Sequence, residues 1–162
     1  MSEKKLIRPW MKTKVFSINP QASLREAAQL MVDKKIGTLP VVDEQGYLLG
    51  LTTMRALVRF FLPDFTMLMQ NVDFVKDFGA IGNPSQEDIE KADAMTVGQF
   101  MSEATSVEDN CSLARALTLM FSHDVLDLPV VREGKLVGIA SRVDIGRAFL
   151  DSWLGEQHKQ LS

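Results

Sequence analysis

Apolar positions along this chain recur at two spacings, and the same order of spacings is written twice. Leu24, Ala27, Ala28 and Met31 fall at i, i+3, i+4 and i+7, which predicts a helix with one core-facing stripe. Leu113, Ala116, Leu117 and Met120 repeat that stripe. Ser23 precedes the first helix with Glu26 three residues on, the spacing of a capping box, and Ser112 holds the same place before the second. Ahead of each helix lies a short apolar stretch that reads as a strand, Val15 to Ile18 and Ala104 to Val107. Turns follow these at Asn19-Pro20-Gln21 and Glu108-Asp109-Asn110. After each helix comes a strand, Thr38 to Asp43 or Asp127 to Arg132, whose proline suits a first or edge position. Glu44-Gln45-Gly46 and Glu133-Gly134 then predict hairpin turns, with return strands Tyr47 to Thr52 and Lys135 to Ala140. A last helix starts near Thr53 or Ser141, so each copy reads β-α-β-β-α.

The duplication is visible in identities as well as in spacing. Residues 17–42 recur as 106–131 with ten identities in 26 positions, among them Leu39-Pro40-Val41-Val42 and Leu128-Pro129-Val130-Val131. Any fold must therefore explain two copies. Between them lies an insert in which Phe65, Leu68, Met69, Val72, Val75 and Phe78 suggest an amphipathic helix, ended by Gly79 and Gly82. Asn83-Pro84-Ser85-Gln86 reads as an N-cap, a proline at the first helical position and a reciprocating Gln, opening a short acidic helix to about Lys91. Thr96 with Gln99 gives another capping box, leading into Phe100-Met101. Trp10-Met11 holds the matching place ahead of the first copy, and both lead-in segments are expected to lie across the neighbouring copy. The divisions are 1–62, the insert 63–94, 95–154 and a tail 155–162 that reads as a helix end.

Composition narrows the function classes. The 162 residues are 46% hydrophobic, enough for a core, and the net charge of −3 argues against a nucleic-acid footprint. The single cysteine, Cys111, excludes an internal disulfide, fits a reducing compartment and has no activating base nearby in sequence. No apolar run follows Met1 to Lys5, and Ala56 to Leu62 is short and broken by Arg59. A leader and a membrane span are therefore not expected, and a cytoplasmic protein is. His123 and His158 are the only histidines, and no phosphate loop, nucleophile elbow or metal spacing is present, so an enzyme is not expected.

The most informative stretch is Gly138-Ile139-Ala140-Ser141-Arg142-Val143-Asp144, a strand end turning into a helix. Ser141 and Asp144 share one helix face. A carboxylate at a strand's carboxyl end can accept both vicinal hydroxyls of a ribose, and a hydroxyl at a helix N-terminus can meet a phosphate. The same pair also fits a helix cap with a reciprocating acid. From spacing alone both readings stand.

Two β-α-β-β-α copies, each with a Leu-Pro-Val-Val strand, a glycine turn and a G-h-h-[ST]-x-x-[DN]-like motif, resemble a tandem pair of cystathionine-β-synthase (CBS) domains, a Bateman module. The resemblance implies an α/β (α+β) fold of two pseudo-symmetric units packed together, with clefts between the copies and a helical insert. It implies a regulatory module, not a catalyst, usually a flat homodimer, that takes AMP, ADP, ATP or S-adenosylmethionine and requires no cofactor. Carried over, one cleft takes the ribose on Asp144, with Ser141 and Arg142 toward phosphate, and adds Ser17 and Ala22. Ile36 and Gly37 wall the adenine, and Leu126 and Asp127 border the phosphates. The other cleft uses Thr53, Met54, Ser106, Cys111, Val125 and Leu126. Two departures matter. Ala56 stands where the first copy's motif would have its carboxylate, so one competent site per chain is expected. Asp127 stands where tight phosphate binders carry a base, a repulsion of about 1 kcal/mol or more. The other reading is a ligand-free module that holds a second copy or an effector protein through the insert's apolar stripe.

Overall fold

In the computed structural model the described residues are 5–61 and 83–160; the stripe from Phe65 to Phe78 lies outside them. The helices are α1 (Leu24–Lys34), α2 (Met54–Phe61), α3 (Gln86–Asp93), α4 (Val97–Phe100), α5 (Leu113–Ser122) and α6 (Arg142–Gln160). The strands are β1 (Thr38–Val42), β2 (Leu48–Thr53), β3 (Val107–Glu108), β4 (Asp127–Arg132) and β5 (Lys135–Ser141). β1 and β2 form a two-stranded sheet, and β3-β4-β5 a three-stranded one in which β3 is parallel and β5 antiparallel to β4. The chain divides into two compact units, Met1–Ser17 with Val42–Leu49 and Glu103–Ser162, and Ile18–Val41 with Gly50–Ser102.

The first unit is built on the second sequence copy. α5 and α6 cover the three-stranded sheet, and Met120, Leu128, Val130, Ala140 and Ile145 form its fully buried centre. The lead-in of the other copy completes this core. Ile7 is fully buried and donates its amide to the Cys111 carbonyl at 2.9 Å, and Trp10 and Met11 pack beside it. Lys12 and Ile139 then exchange two backbone hydrogen bonds, 2.8 and 2.9 Å. The β1–β2 turn also belongs to this unit. Leu48 donates to the Gly134 carbonyl and Leu136 to the Gly46 carbonyl, each at 3.0 Å. Glu133 and Gly134 both adopt positive φ, 52° and 81°, the mirror-image turn that matches strand twist.

The second unit repeats the plan around α1. Ser23 and Glu26 form the expected capping box, and Leu24, Ala27 and Met31 are buried. The lead-in of the second copy docks here. Val97 donates to the Ala22 carbonyl and Gly98 to the Pro20 carbonyl, both at 2.8 Å. Arg25 grips Asp93 with two hydrogen bonds, 2.9 and 2.8 Å, tying α1 to α3.

Three expectations change. The opening strands shorten in both copies: Ile18 makes a single parallel bridge to Val41, and only Val107 and Glu108 pair in the second copy. The cap of α3 is Ser85, not Asn83, because Ser85 accepts the Asp88 amide at 3.1 Å and donates its hydroxyl to Asp88 at 2.6 Å. Pro40 keeps an edge strand, β1 of the two-stranded sheet, but Pro129 sits at the third position of the central strand β4. A central strand tolerates Pro129 because β3 pairs only with Val130 and Val131, so no third strand calls for the missing donor.

Candidate functional site

β5 runs into α6 without a loop, so Ser141 is both the last strand residue and the first turn's cap. Its amide and hydroxyl both donate to Asp144 Oδ2, at 3.1 and 2.7 Å, and the Asp144 amide donates back to Ser141 Oγ at 3.1 Å. This is a complete reciprocal cap. The carboxylate is 16% exposed, and Lys12 Nζ lies 3.7 Å from the same Oδ2. Burial pushes the Asp144 carboxyl upward, but the Ser141 hydroxyl and amide and the Lys12 ammonium outweigh it, leaving the group below the ordinary carboxylate range. Oδ2 carries every one of these contacts; among the described residues Oδ1 accepts no hydrogen bond.

Around this pair the first unit gathers most of the expected residues. Asp127 stands opposite Ser141 in the β4–β5 register, and the Arg142 amide donates to the Leu126 carbonyl at 2.7 Å. Leu126 itself is exposed. The Arg142 guanidinium is directed toward the end of α5 instead of toward Asp144. It donates to the Val125 and Met120 carbonyls at 2.9 and 3.4 Å, lies 3.8 Å from Asp124, and sits 5.0 Å above the Phe121 ring. It therefore satisfies carbonyls at a helix C-terminus, a role the motif spacing did not announce. Ser17 lines a cavity of about 170 Å³ in the same unit with Thr13, Val15 and Gly46.

Ala22, Ile36 and Gly37 belong to the second unit. Ala22 is held by the Asn19 and Val97 backbone, and the Gly37 carbonyl accepts from Met54 at 2.9 Å. Of the other expected set, Ser106 and Cys111 line a cavity of about 500 Å³ that also meets Asn110 and Arg115. Burial raises the Cys111 thiol above its ordinary value. In the first copy's motif the Ala56 amide donates to Thr53 Oγ1 at 3.1 Å, a cap with no acid to answer it. Lys12 is the residue that sequence reasoning missed. Its place in the first lead-in is matched by Ser102 after Met101 in the second, so no repeated cation marked it.

The two units belong to a known family of domains. The CBS domain family matches residues 7–63 and again residues 97–151, and the chain is a member of that family carrying a tandem pair. A CBS domain-containing protein of Bacillus subtilis, YhcV, is 30% identical over 139 residues, 86% of this chain and 81% of that one. The chloroplastic CBSX2 of Arabidopsis thaliana is 32% identical over 141 residues, 82% of this chain and 58% of that protein. A crystal structure of CBSX2 in complex with AMP superposes with a TM-score of 0.67 at 28% identity, covering 91% of this chain and 97% of that one. No helix among the described residues is long and apolar enough to cross a membrane.

Proposed function

We propose that this chain is a regulatory module, not a catalyst, that binds one adenosine-containing ligand with its ribose on Asp144. The observation that carries the reading is the division of labour on that carboxylate. Oδ2 is spent on the cap and Lys12, while Oδ1 keeps its acceptor capacity at a partly exposed position. The bound AMP of the CBSX2 structure supports the ligand class. With Arg142 bonded to the Met120 and Val125 carbonyls and the Asp127 carboxylate opposite Ser141, extra phosphate charge would meet an acid there, so AMP is favoured over ATP. Ala56 in the first copy limits the chain to one such grip. Ligand occupancy would signal through contacts with an effector protein in the cytoplasm.

Thermal unfolding with AMP, ADP, ATP and S-adenosylmethionine at millimolar concentration tests this. A ligand at a hundred times its Kd stabilises the fold by about 2.7 kcal/mol. The expected result is a clear rise in Tm with AMP that Asp144→Asn abolishes. No shift with any of the four, or a full shift in Asp144→Asn, overturns the reading.

A further inference from the structure

Lys12 and Asp144 stand together in one copy and are missing together from the other. In the first unit Lys12 and Ile139 exchange two backbone hydrogen bonds, and in the second Ser102 and Leu51 exchange two of 2.9 Å. Both lead-ins cross the glycine of the return strand closely. A Cβ at Gly138 would lie 3.1 Å from the Lys12 carbonyl oxygen, and one at Gly50 would lie 2.7 Å from that of Ser102. Lys12 and Ser102 therefore hold equivalent places, as do Asp144 and Ala56. Where the carboxylate is present, the lead-in sets an ammonium beside it. Where the carboxylate is absent, the lead-in carries a hydroxyl, which turns back to donate to the Leu51 carbonyl at 3.5 Å.

Stability does not account for the cation. Ser141 and Asp144 close their cap between themselves. Lys12 Nζ stands at 3.7 Å from Oδ2 with its side chain 66% exposed, and a pair of that kind adds little to folding. Among the described residues Nζ has no second partner, so its donors remain available next to the acceptor capacity of Oδ1. A sugar hydroxyl is both donor and acceptor. Once it donates to a carboxylate, its lone pairs are left to accept, and an ammonium on a flexible four-carbon stem supplies the donor. An acid with a cation beside it is thus complementary to hydroxyls that do both. Resting on the ribose reading of Asp144, we infer that Lys12 is a second sugar-contacting residue. Its ammonium donates to a hydroxyl held by Oδ1, and the site thereby selects an intact 2′,3′-diol over a deoxyribose.

Titration calorimetry on the full chain tests this with AMP, 2′-deoxy-AMP and 3′-deoxy-AMP, all of which carry the same phosphate, so that a general charge effect cancels between them. The wild type should bind AMP more tightly than either analogue. Lys12→Met should weaken AMP about tenfold or more, yet change by less than about threefold the analogue that lacks the contacted hydroxyl. Lys12→Arg, which keeps a cation, should restore most of the preference for AMP. If Lys12→Met binds AMP as the wild type does, or weakens AMP and both analogues alike, the assignment of Lys12 is overturned while the ribose reading stands. If the wild type binds no AMP, or AMP and both analogues equally well, the ribose reading falls and this inference with it.

Discussion

Two glycines hold the lead-in segments against the return strands, and a third lies in open space, which makes a graded test of the packing. A Cβ at Gly50 would lie 2.7 Å from the Ser102 carbonyl oxygen and 2.9 Å from Met101 Sδ. The oxygen cannot yield freely, because Leu51 and Ser102 exchange two backbone hydrogen bonds of 2.9 Å there. Overpacking of this kind costs about 1–3 kcal/mol, and a loosened hydrogen bond adds about 0.5–1.5 kcal/mol. The entropy removed from the unfolded chain returns about 0.4–1 kcal/mol. Gly50→Ala should therefore lose about 2–3 kcal/mol, a Tm lower by about 5–10 °C for a chain of this length. At Gly138 the worst contacts are with Met11, whose Sδ would lie 2.5 Å and Cγ 3.0 Å away, and the Lys12 carbonyl oxygen is at 3.1 Å. The thioether can swing aside, so Gly138→Ala should lose about 1 kcal/mol. At Gly37 nothing lies within 4 Å and φ is ordinary, so Gly37→Ala should be neutral or slightly stabilising. Urea and thermal midpoints read by circular dichroism give the ranking. A Gly50→Ala protein within one degree of wild type, or a Gly138→Ala protein less stable than Gly50→Ala, would refute the reasoning.

Ser141→Ala and Ser23→Ala each remove a cap and should each cost about 1 kcal/mol in urea unfolding. Ser141→Ala should also raise the Asp144 carboxyl toward its ordinary value, seen in an NMR titration. Asp109 is buried, held by Arg132 and Arg8, and lies below the ordinary carboxylate range chiefly through its bonds to Arg132. A carboxyl lowered on folding stabilises above its unfolded pKa of about 3.9 and loses that contribution as pH falls through the folded value. Tm should thus drop on acidification below about pH 4, and Asp109→Asn should lower Tm at pH 7 while flattening that acid limb. Cys111, buried with its thiol pushed up, should react slowly with a disulfide reagent in the native protein and rapidly after denaturation. Fast native labelling would contradict its burial.

What could be read from the sequence was what neighbours in the chain decide. The boxes Ser23–Glu26 and Thr96–Gln99, the α1 and α5 stripes and the Glu133-Gly134 turn are local, and each stands where spacing put it. The α3 cap shows the limit of that logic. Asn83 and Ser85 are equally good cap types, and the choice fell to Ser85 because Asp88 stands three residues on to accept its hydroxyl. Strand Val15 to Ile18 failed for the opposite reason. Its residues favour extension, but a strand also needs a partner in register, and only Ile18 finds one in Val41. Lys12 could not be seen at all. It reaches Asp144 only because the lead-in bonds to Ile139, a pairing no periodicity encodes.

The two copies differ at the acid: Asp144 in the second, Ala56 in the first. Spacing left the Ser141–Asp144 pair divided between a cap and a ligand grip, and the geometry allows both, since the cap occupies one oxygen. The first copy separates the two roles. There Thr53 still receives the Ala56 amide at 3.1 Å, and α2 forms with no carboxylate at that position. Starting this helix does not require an acid. Asp144 is 16% exposed, and the Lys12 ammonium lies 3.7 Å from its Oδ2, a contact outside the cap. A carboxylate kept charged at the carboxyl end of a strand, in one copy out of two, is what the proposed ribose grip calls for.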